Sequence, residues 1–401
     1  MYELLEIYNR LISNFQEPYI RSFYDNFCFD HRFIGIVGQR GVGKTSFMLY
    51  YLKKYYQNSD QAAYISVDNL YFSQNSLFDF VSQFYKEYAA ELICIDEIHR
   101  YENWNQELKN IYDSFPKLKV IFSGSSSIDL IQGKYDLSRR VVLKKMSGFS
   151  FREFLELKLC QTLPILKLEE ILEAKYDKSI TQIPRLIHYF KEYLEFGFYP
   201  IFTELKNQQI YSETLMNIIE KVIYEDISSF YSLKTKNLNS FKKILYFIAS
   251  SSPGGFSINK LAKNLQKDHS TVSDYLEMMR ETGLLRYLLN DSQGHSLIKR
   301  TEKIYFNNPN LVYAINNAIG KETDIGLIRE LFVLSNLEDS GYKSFFSRDG
   351  DIKCQDYIFE IGGKSKTKKQ IKNVSKSFLI KDNILTGTKD SIPIYLFGFL
   401  R

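Results

Sequence analysis

The chain has 401 residues, enough for roughly two to four domains with a sizeable core. Hydrophobic residues make up 44%, charged residues 25%, and the formal net charge is +5, a globular balance that permits nucleic-acid contact without demanding it. Cys28, Cys94, Cys160 and Cys354 lie far apart with no CxxC pair, which argues against a disulfide framework or a zinc site and for a reducing cytoplasm. No apolar run reaches ~18 residues, so no membrane span is expected.

In chain order, "MYELLEIYNRLISNF" reads as an amphipathic helix packed on the first domain. It carries Glu3, Glu6 and no basic stretch, unlike a signal peptide. An apolar strand from Phe33 to Val37 then feeds Gly38-Gln39-Arg40-Gly41-Val42-Gly43-Lys44-Thr45, which matches G-x-x-x-x-G-K-[ST] at every fixed position. Phe47, Met48, Tyr51 and Leu52 follow at helical spacing. Strand, glycine loop and helix form a phosphate cradle: glycines let the backbone N–H groups approach phosphate oxygens. Gly38 through Ser46 are therefore the expected ATP contacts. Lys44 reaches the β- and γ-phosphates, and the Thr45 hydroxyl holds Mg²⁺.

"ELICIDEIHR" gives a buried parallel strand, Leu92 to Ile95, ending in Asp96 and Glu97. An acid at the carboxyl end of such a strand faces the ligand crevice. Asp96 is the expected Mg²⁺ group and Glu97 the base that polarises water. The letters DEIH also occur in helicases, but a second glycine–arginine lobe is absent downstream; His99 is expected to be structural or to support the acids. The next strand, "LKVIFSGSSS", offers Ser123 and Ser125 either as polar contacts to the γ-phosphate or as caps before Ile128. In "LSRRVVLKKMSGFSFREFLEL", Arg139 and Arg140 are either solvated or γ-phosphate sensors, within one chain or across a subunit interface; Arg140 is taken as the catalytic one.

Residues 165–235 read as mainly helical, interrupted at Pro184 and "FGFYP". From Phe256, two short helices with apolar faces, Gly283 as a stop, and the strand "LLRYLLN" spell a winged helix-turn-helix. Lys260, Lys263, Lys267 and Arg280 are its expected phosphate contacts, with His269, Ser270, Thr271 and Ser273 facing a groove. The alternative is a protein–protein module. A helix bearing Glu330, two strands around a turn, and a basic helix in "GKSKTKKQIK" complete the chain. Asp351 and Glu360 stand as in a PD-(D/E)xK nuclease core, but Gly362 occupies the lysine position and Lys364 would have to reach back. That departure favours a degenerate, binding-only domain.

The stretches "VGQRGVGKTS", "IDEIHRYENWNQELKNIYDSFPKLKVIFSGSSS", "LSRRVVLKKMSGFSFREFLEL", "YLEFGFYPI", "GLIRELFVLSNL", "YIFEIGGKSKTKKQI" and "IPIYLFGFLR" together resemble bacterial and archaeal AAA-type P-loop ATPases with a C-terminal extension of unassigned role. The resemblance implies an α/β fold: a P-loop NTPase core with a parallel sheet (1–155), a helical lid or connector (156–236), a winged helix-turn-helix (237–312), and an α/β restriction-endonuclease-like domain (313–401). The expected function is Mg²⁺-dependent ATP hydrolysis that controls accessory domains. The expected partners are ATP, double-stranded DNA, and a protein or second copy of the chain, with no membrane. The rivals are a nucleotide-gated switch with negligible turnover and an ATP-regulated effector that binds or cuts DNA.

Overall fold

The computed structural model describes residues 1–16, 19–57, 59–125, 137, 139–205, 207–228, 233, 235–251, 257–291, 301–388 and 391–401. These divide into two compact units, Met1–Gly148 and Phe149–Arg401.

The first unit is built on five strands: β1 (Phe33–Gly38), β2 (Ala62–Ser66), β3 (Leu92–Asp96), β4 (Lys119–Ser125) and β5 (Val141–Lys145). Their spatial order is β2-β3-β4-β1-β5, and every pairing is parallel. A parallel sheet needs cover on both faces, so its strands are apolar without alternation. All five residues of β3 are buried, as are four of the five in β2. Helix α1 (Tyr2–Asn14) buries Leu4 and Tyr8 and lies against β2. Helix α2 (Lys44–Tyr56) buries Phe47, Met48 and Leu52; α3 (Leu77–Tyr88) and α4 (Trp104–Ser114) pack on each other. The functional consequence lies in the strand order. It sets the carboxyl ends of β1, β4 and β3 side by side, with β1 at the point where chain direction through the sheet reverses.

The second unit opens with α5 (Phe151–Leu159), whose Ser150 and Glu153 form a reciprocal capping box. Helices α6 (Leu186–Phe196), α7 (Gln208–Lys221) and α8 (Thr235–Ser250) follow. The pair α9 (Ile258–Leu265) and α10 (His269–Glu281) buries Leu261, Val272, Leu276 and Met279. Gly283, at φ +76°, closes α10 and turns the chain into β6 (Leu285–Leu289), which pairs antiparallel with β7 (Thr301–Phe306). Thus helix, turn, helix and hairpin occur as the sequence predicts; residues 292–300, between the hairpin strands, lie outside the described ones.

The hairpin does not end its sheet. Strand β6 pairs parallel with β8 (Ser344–Phe346), and the order runs β12-β11-β10-β9-β8-β6-β7 through β9 (Ile352–Cys354), β10 (Tyr357–Gly362), β11 (Ser377–Lys381) and β12 (Ser391–Pro393). Helix α11 (Pro309–Ala318) leads into α12 (Ile325–Asp339), which buries Leu331, Phe332, Val333, Leu334 and Leu337, apolar on nearly every side as a central helix must be. One expectation fails here: residues 363–376 form turns and not a basic helix. Lys364, Lys368 and Lys372 would fall at i, i+4 spacing, where like charges oppose a helix. Among the described residues, no helix is long and apolar enough to cross a membrane.

Candidate nucleotide-binding site

The loop after β1 is shaped by its glycines. A Cβ on Gly38 would lie 2.2 Å from the Met146 carbonyl oxygen, so the strand can end there only as glycine. Gly41 and Gly43 take φ values of +87° and +98°, in the left-handed region glycine favours. Gly43 caps α2 without a side-chain acceptor, which leaves the first-turn N–H groups of that helix for an anion. Lys44 is 5% exposed, and its Nζ donates to the carbonyls of Gly38 at 2.8 Å and Gln39 at 3.0 Å. Arg21, also buried, donates to the Val42 carbonyl at 2.9 Å and to those of Ser147 and Gly148 at 2.7 and 2.8 Å. The loop is therefore tied to the segment that follows β5.

Asp96 ends β3 with its carboxylate buried and held by hydroxyls. Oδ2 accepts from Thr45 Oγ1 at 2.5 Å and from the Tyr64 phenol at 2.8 Å. Oδ1 accepts from the fully buried Ser123 hydroxyl and from the Glu97 N–H at 3.1 Å. Burial first, and the Asp96 charge second, push the Tyr64 phenol above its ordinary pKa, so it stays a donor. Glu97 sits at φ +55°, a left-handed turn that a side chain adopts only when its surroundings enforce it. Its N–H also meets Ser123 Oγ at 3.1 Å, and its Oε2 lies 3.4 Å from His99 Nε2.

Lys44, Thr45, Asp96, Glu97 and Ser123, drawn from two strand ends and one helix start, thus meet in one crevice. Comparison with known families places them all in a single match: the model for an AAA domain fits residues 30–155. Residues 30–155 are an AAA-type P-loop ATPase domain. A second match, to a domain of unknown function (DUF8612), spans residues 187–322.

Two uncharacterized proteins of Methanocaldococcus jannaschii are similar to part of this chain. One is 25% identical over 76% of this chain and 67% of its own length; the other is 23% identical over 67% and 59%. Among solved structures, AMPPCP-bound DnaA from Aquifex aeolicus superposes with a TM-score of 0.28 at 18% identity, over 69% of this chain and 86% of that one. C. elegans PCH-2 gives 0.28 at 13% identity, over 54% and 68%. Neither superposition bears on function.

For Arg140, the structure bears on the alternative within one chain. It precedes β5, and Val141 pairs with Phe33 at the amino end of β1. The nucleotide loop leaves the other end of β1, roughly 20 Å away at strand rise. Arg140 instead pairs with Asp113, Nε–Oδ1 3.0 Å and Nη2–Oδ2 3.2 Å, and lies over the Tyr112 ring. It cannot serve the loop of its own chain. Arg139 is exposed, and the Ser125 side chain and Ile128 lie outside the described residues. Two residues of the first unit, Tyr64 and Arg21, belong to no motif. Tyr64 stands two before Ser66, the register partner of Asp96, so the two-residue period of β2 carried a signal for it. Arg21 had none, being fixed only by contacts distant in sequence.

Proposed function

We propose that this chain is a Mg²⁺-dependent ATPase whose nucleotide state controls DNA-binding accessory segments. The observation that carries the hydrolytic part is the meeting of Thr45 and Asp96 at 2.5 Å beside the glycine loop and Lys44. The backbone of Gly38, Gln39, Arg40, Gly41, Val42 and Gly43, with Lys44, Thr45 and Ser46, receives the ATP phosphates. Lys44 exchanges two backbone carbonyls for phosphate oxygens. A hydroxyl and a carboxylate are hard oxygen donors suited to Mg²⁺, which when bound offsets charge on the β- and γ-phosphates. Ser123 and Tyr64 keep the Asp96 carboxylate oriented, and Glu97 accepts the proton of the attacking water. Arg140 serves the loop of a second copy. In equilibrium titration, Lys44→Ala weakens ATP binding at least tenfold; unchanged affinity contradicts the site.

A switch with negligible turnover is the second reading, favoured by the engagement of Arg140 with Asp113 in its own chain. Tight ATP binding by the wild type without phosphate release decides for it.

The helix pair supports the DNA part. Lys260, Lys263, His269 and Ser270 are exposed, whereas Arg280 is taken by Glu277. We assign the AAA domain to 1–155, the connector to 156–236, the winged helix to 237–312 and a nuclease-like, binding-only segment to 313–401, acting in the reducing cytoplasm. Affinity for duplex DNA should fall with salt, log–log slope about −0.9 per phosphate contacted. Salt-insensitive affinity contradicts it.

A further inference from the structure

The second unit holds a cavity of about 630 Å³ where the end of α6, the helix α11 and the turn leading into α12 meet. Glu195 and Phe196 come from α6, Tyr313 from α11, and Lys321, Glu322 and Thr323 from the turn. Two carboxylates thus share this wall with one ammonium group. That ammonium is engaged elsewhere: Lys321 Nζ donates to the Ala249 carbonyl of α8 at 2.9 Å. Thr323 Oγ1 accepts from the Asn316 amide at 3.2 Å, and the buried Asn316 Oδ1 has no hydrogen-bond partner among the described residues. The cavity is therefore rich in acceptors and short of donors.

Glu195 is the anomaly. It is half-buried, and among the described residues no donor or cation pairs with its carboxylate. Burial raises its carboxyl above the usual carboxylate range. It also stands in the last turn of α6, where the carbonyl end of the helix opposes a negative charge. Two separate effects thus work against this charge, and nothing among the described residues offsets them. Arg329, a cation near Tyr313, is taken by Asp382, Nε–Oδ2 2.9 Å. For stability alone a glutamine would serve better here, because a half-buried carboxylate without a partner opposes folding. A cation entering the cavity would relieve both effects at once.

We propose that this cavity receives an arginine side chain of a partner protein, its guanidinium group held by Glu195 and Glu322 against the rings of Phe196 and Tyr313. A guanidinium group is planar, offers donors in a fork that matches a carboxylate, and stacks on aromatic faces. An ammonium group or a metal ion is compact and strongly hydrated, and gains less from ring surface. Among the described residues, no group of three His, Cys, Asp or Glu side chains could hold a metal ion. The cavity is larger than one side chain, so the residues flanking the arginine enter with it. This inference stands apart from the ATPase and DNA readings.

The test is calorimetric titration of the full chain with the capped peptide acetyl-Ala-Arg-Ala-amide. The wild type should bind it. Glu195→Gln keeps the shape and removes the charge, so it should weaken binding at least about tenfold, the scale of a lost charge-assisted hydrogen bond. Without peptide, Glu195→Gln should unfold at the same or a higher denaturant concentration than the wild type, which a carboxylate kept for stability would not allow. Glu322 is exposed, so Glu322→Gln should leave folding unchanged and weaken the peptide several-fold. Tyr313→Phe keeps the ring and should bind as the wild type does, whereas Tyr313→Leu should bind several-fold more weakly. The same peptide with citrulline in place of arginine should bind at least about tenfold more weakly. Absence of peptide binding, binding indifferent to Glu195→Gln, or a lowered unfolding midpoint in that variant overturns the site. Equal binding of the citrulline peptide, or spermidine binding as tightly as the arginine peptide, overturns the assignment to an arginine-bearing partner.

Discussion

Asp96 accepts hydroxyls from Thr45, Tyr64 and Ser123, and each has a different sequence origin. Thr45 belongs to the motif, Ser123 to the neighbouring strand, and Tyr64 to a strand with no motif at all. A hydrogen bond to a charged acceptor contributes about 1.5–3 kcal/mol. Tyr64→Phe keeps the ring in the core and removes only the donor at 2.8 Å. It should raise the Mg²⁺ concentration for half-maximal turnover about tenfold, with little change in kcat at saturating Mg²⁺. An unchanged Mg²⁺ dependence would show that Thr45 and Ser123 suffice. The motif residues were readable from spacing, since chemistry fixes their intervals. The two-residue period of β2 sets the face Tyr64 takes, but no local spacing records its partner 32 residues away, nor that of Arg21, 126 residues away.

At the scale of elements, strand ends and helix caps carry the stability predictions. Ser150 accepts from the Glu153 N–H at 3.1 Å, while Glu153 accepts from the Ser150 N–H at 3.0 Å. Ser150→Ala should cost about 1 kcal/mol in denaturant unfolding, the ordinary value of a lost cap. An unaltered midpoint would contradict a stabilising cap. Asp351 gives a pH signature. Burial, and then the Glu330 charge, push its carboxyl up to about 6, with Glu360 adding to the rise; the Ile361 N–H and Lys303 oppose it. The folded state then binds its proton more tightly than the unfolded chain. This stabilisation is full below the unfolded value and is lost as pH rises through about 6. It amounts to at most about 3 kcal/mol. In chelator-treated protein, melting temperature relative to Asp351→Asn should fall between pH 4.5 and 7; a constant difference would contradict the shift. The basic stretch after β10 shows where sequence patterning misled. Dense lysines read as a helix face, yet their mutual repulsion at i, i+4 favours turns, and one of those turns delivers Lys366 to Glu360.

For the whole molecule, the parallel core was legible because buried strands are uniformly apolar and the glycine loop fixes their direction. The seven-stranded sheet was not. Its hairpin joins the later strands through Leu289 and Phe345, a pairing between residues far apart in sequence that no local pattern encodes. Arg140 belongs to this scale as well. Its place at the amino end of the sheet keeps it from the loop of its own chain, so the role proposed for it is one across an interface. Turnover per chain should therefore rise with protein concentration, and Arg140→Ala should remove that rise while leaving ATP affinity intact. Turnover independent of concentration would contradict a role across an interface.

The central claim, that Asp96 and Glu97 beside the glycine loop make this an ATPase, is tested most directly by steady-state phosphate release from MgATP by wild type and Glu97→Gln. The fluorescence of Trp104, the only tryptophan, reports binding in the same samples. The wild type should release phosphate. Glu97→Gln should bind ATP equally well and release phosphate at least about a hundredfold more slowly, the scale of a lost general base. Equal release by the two proteins would contradict the assignment of Glu97. Absence of both binding and release in the wild type would contradict the site.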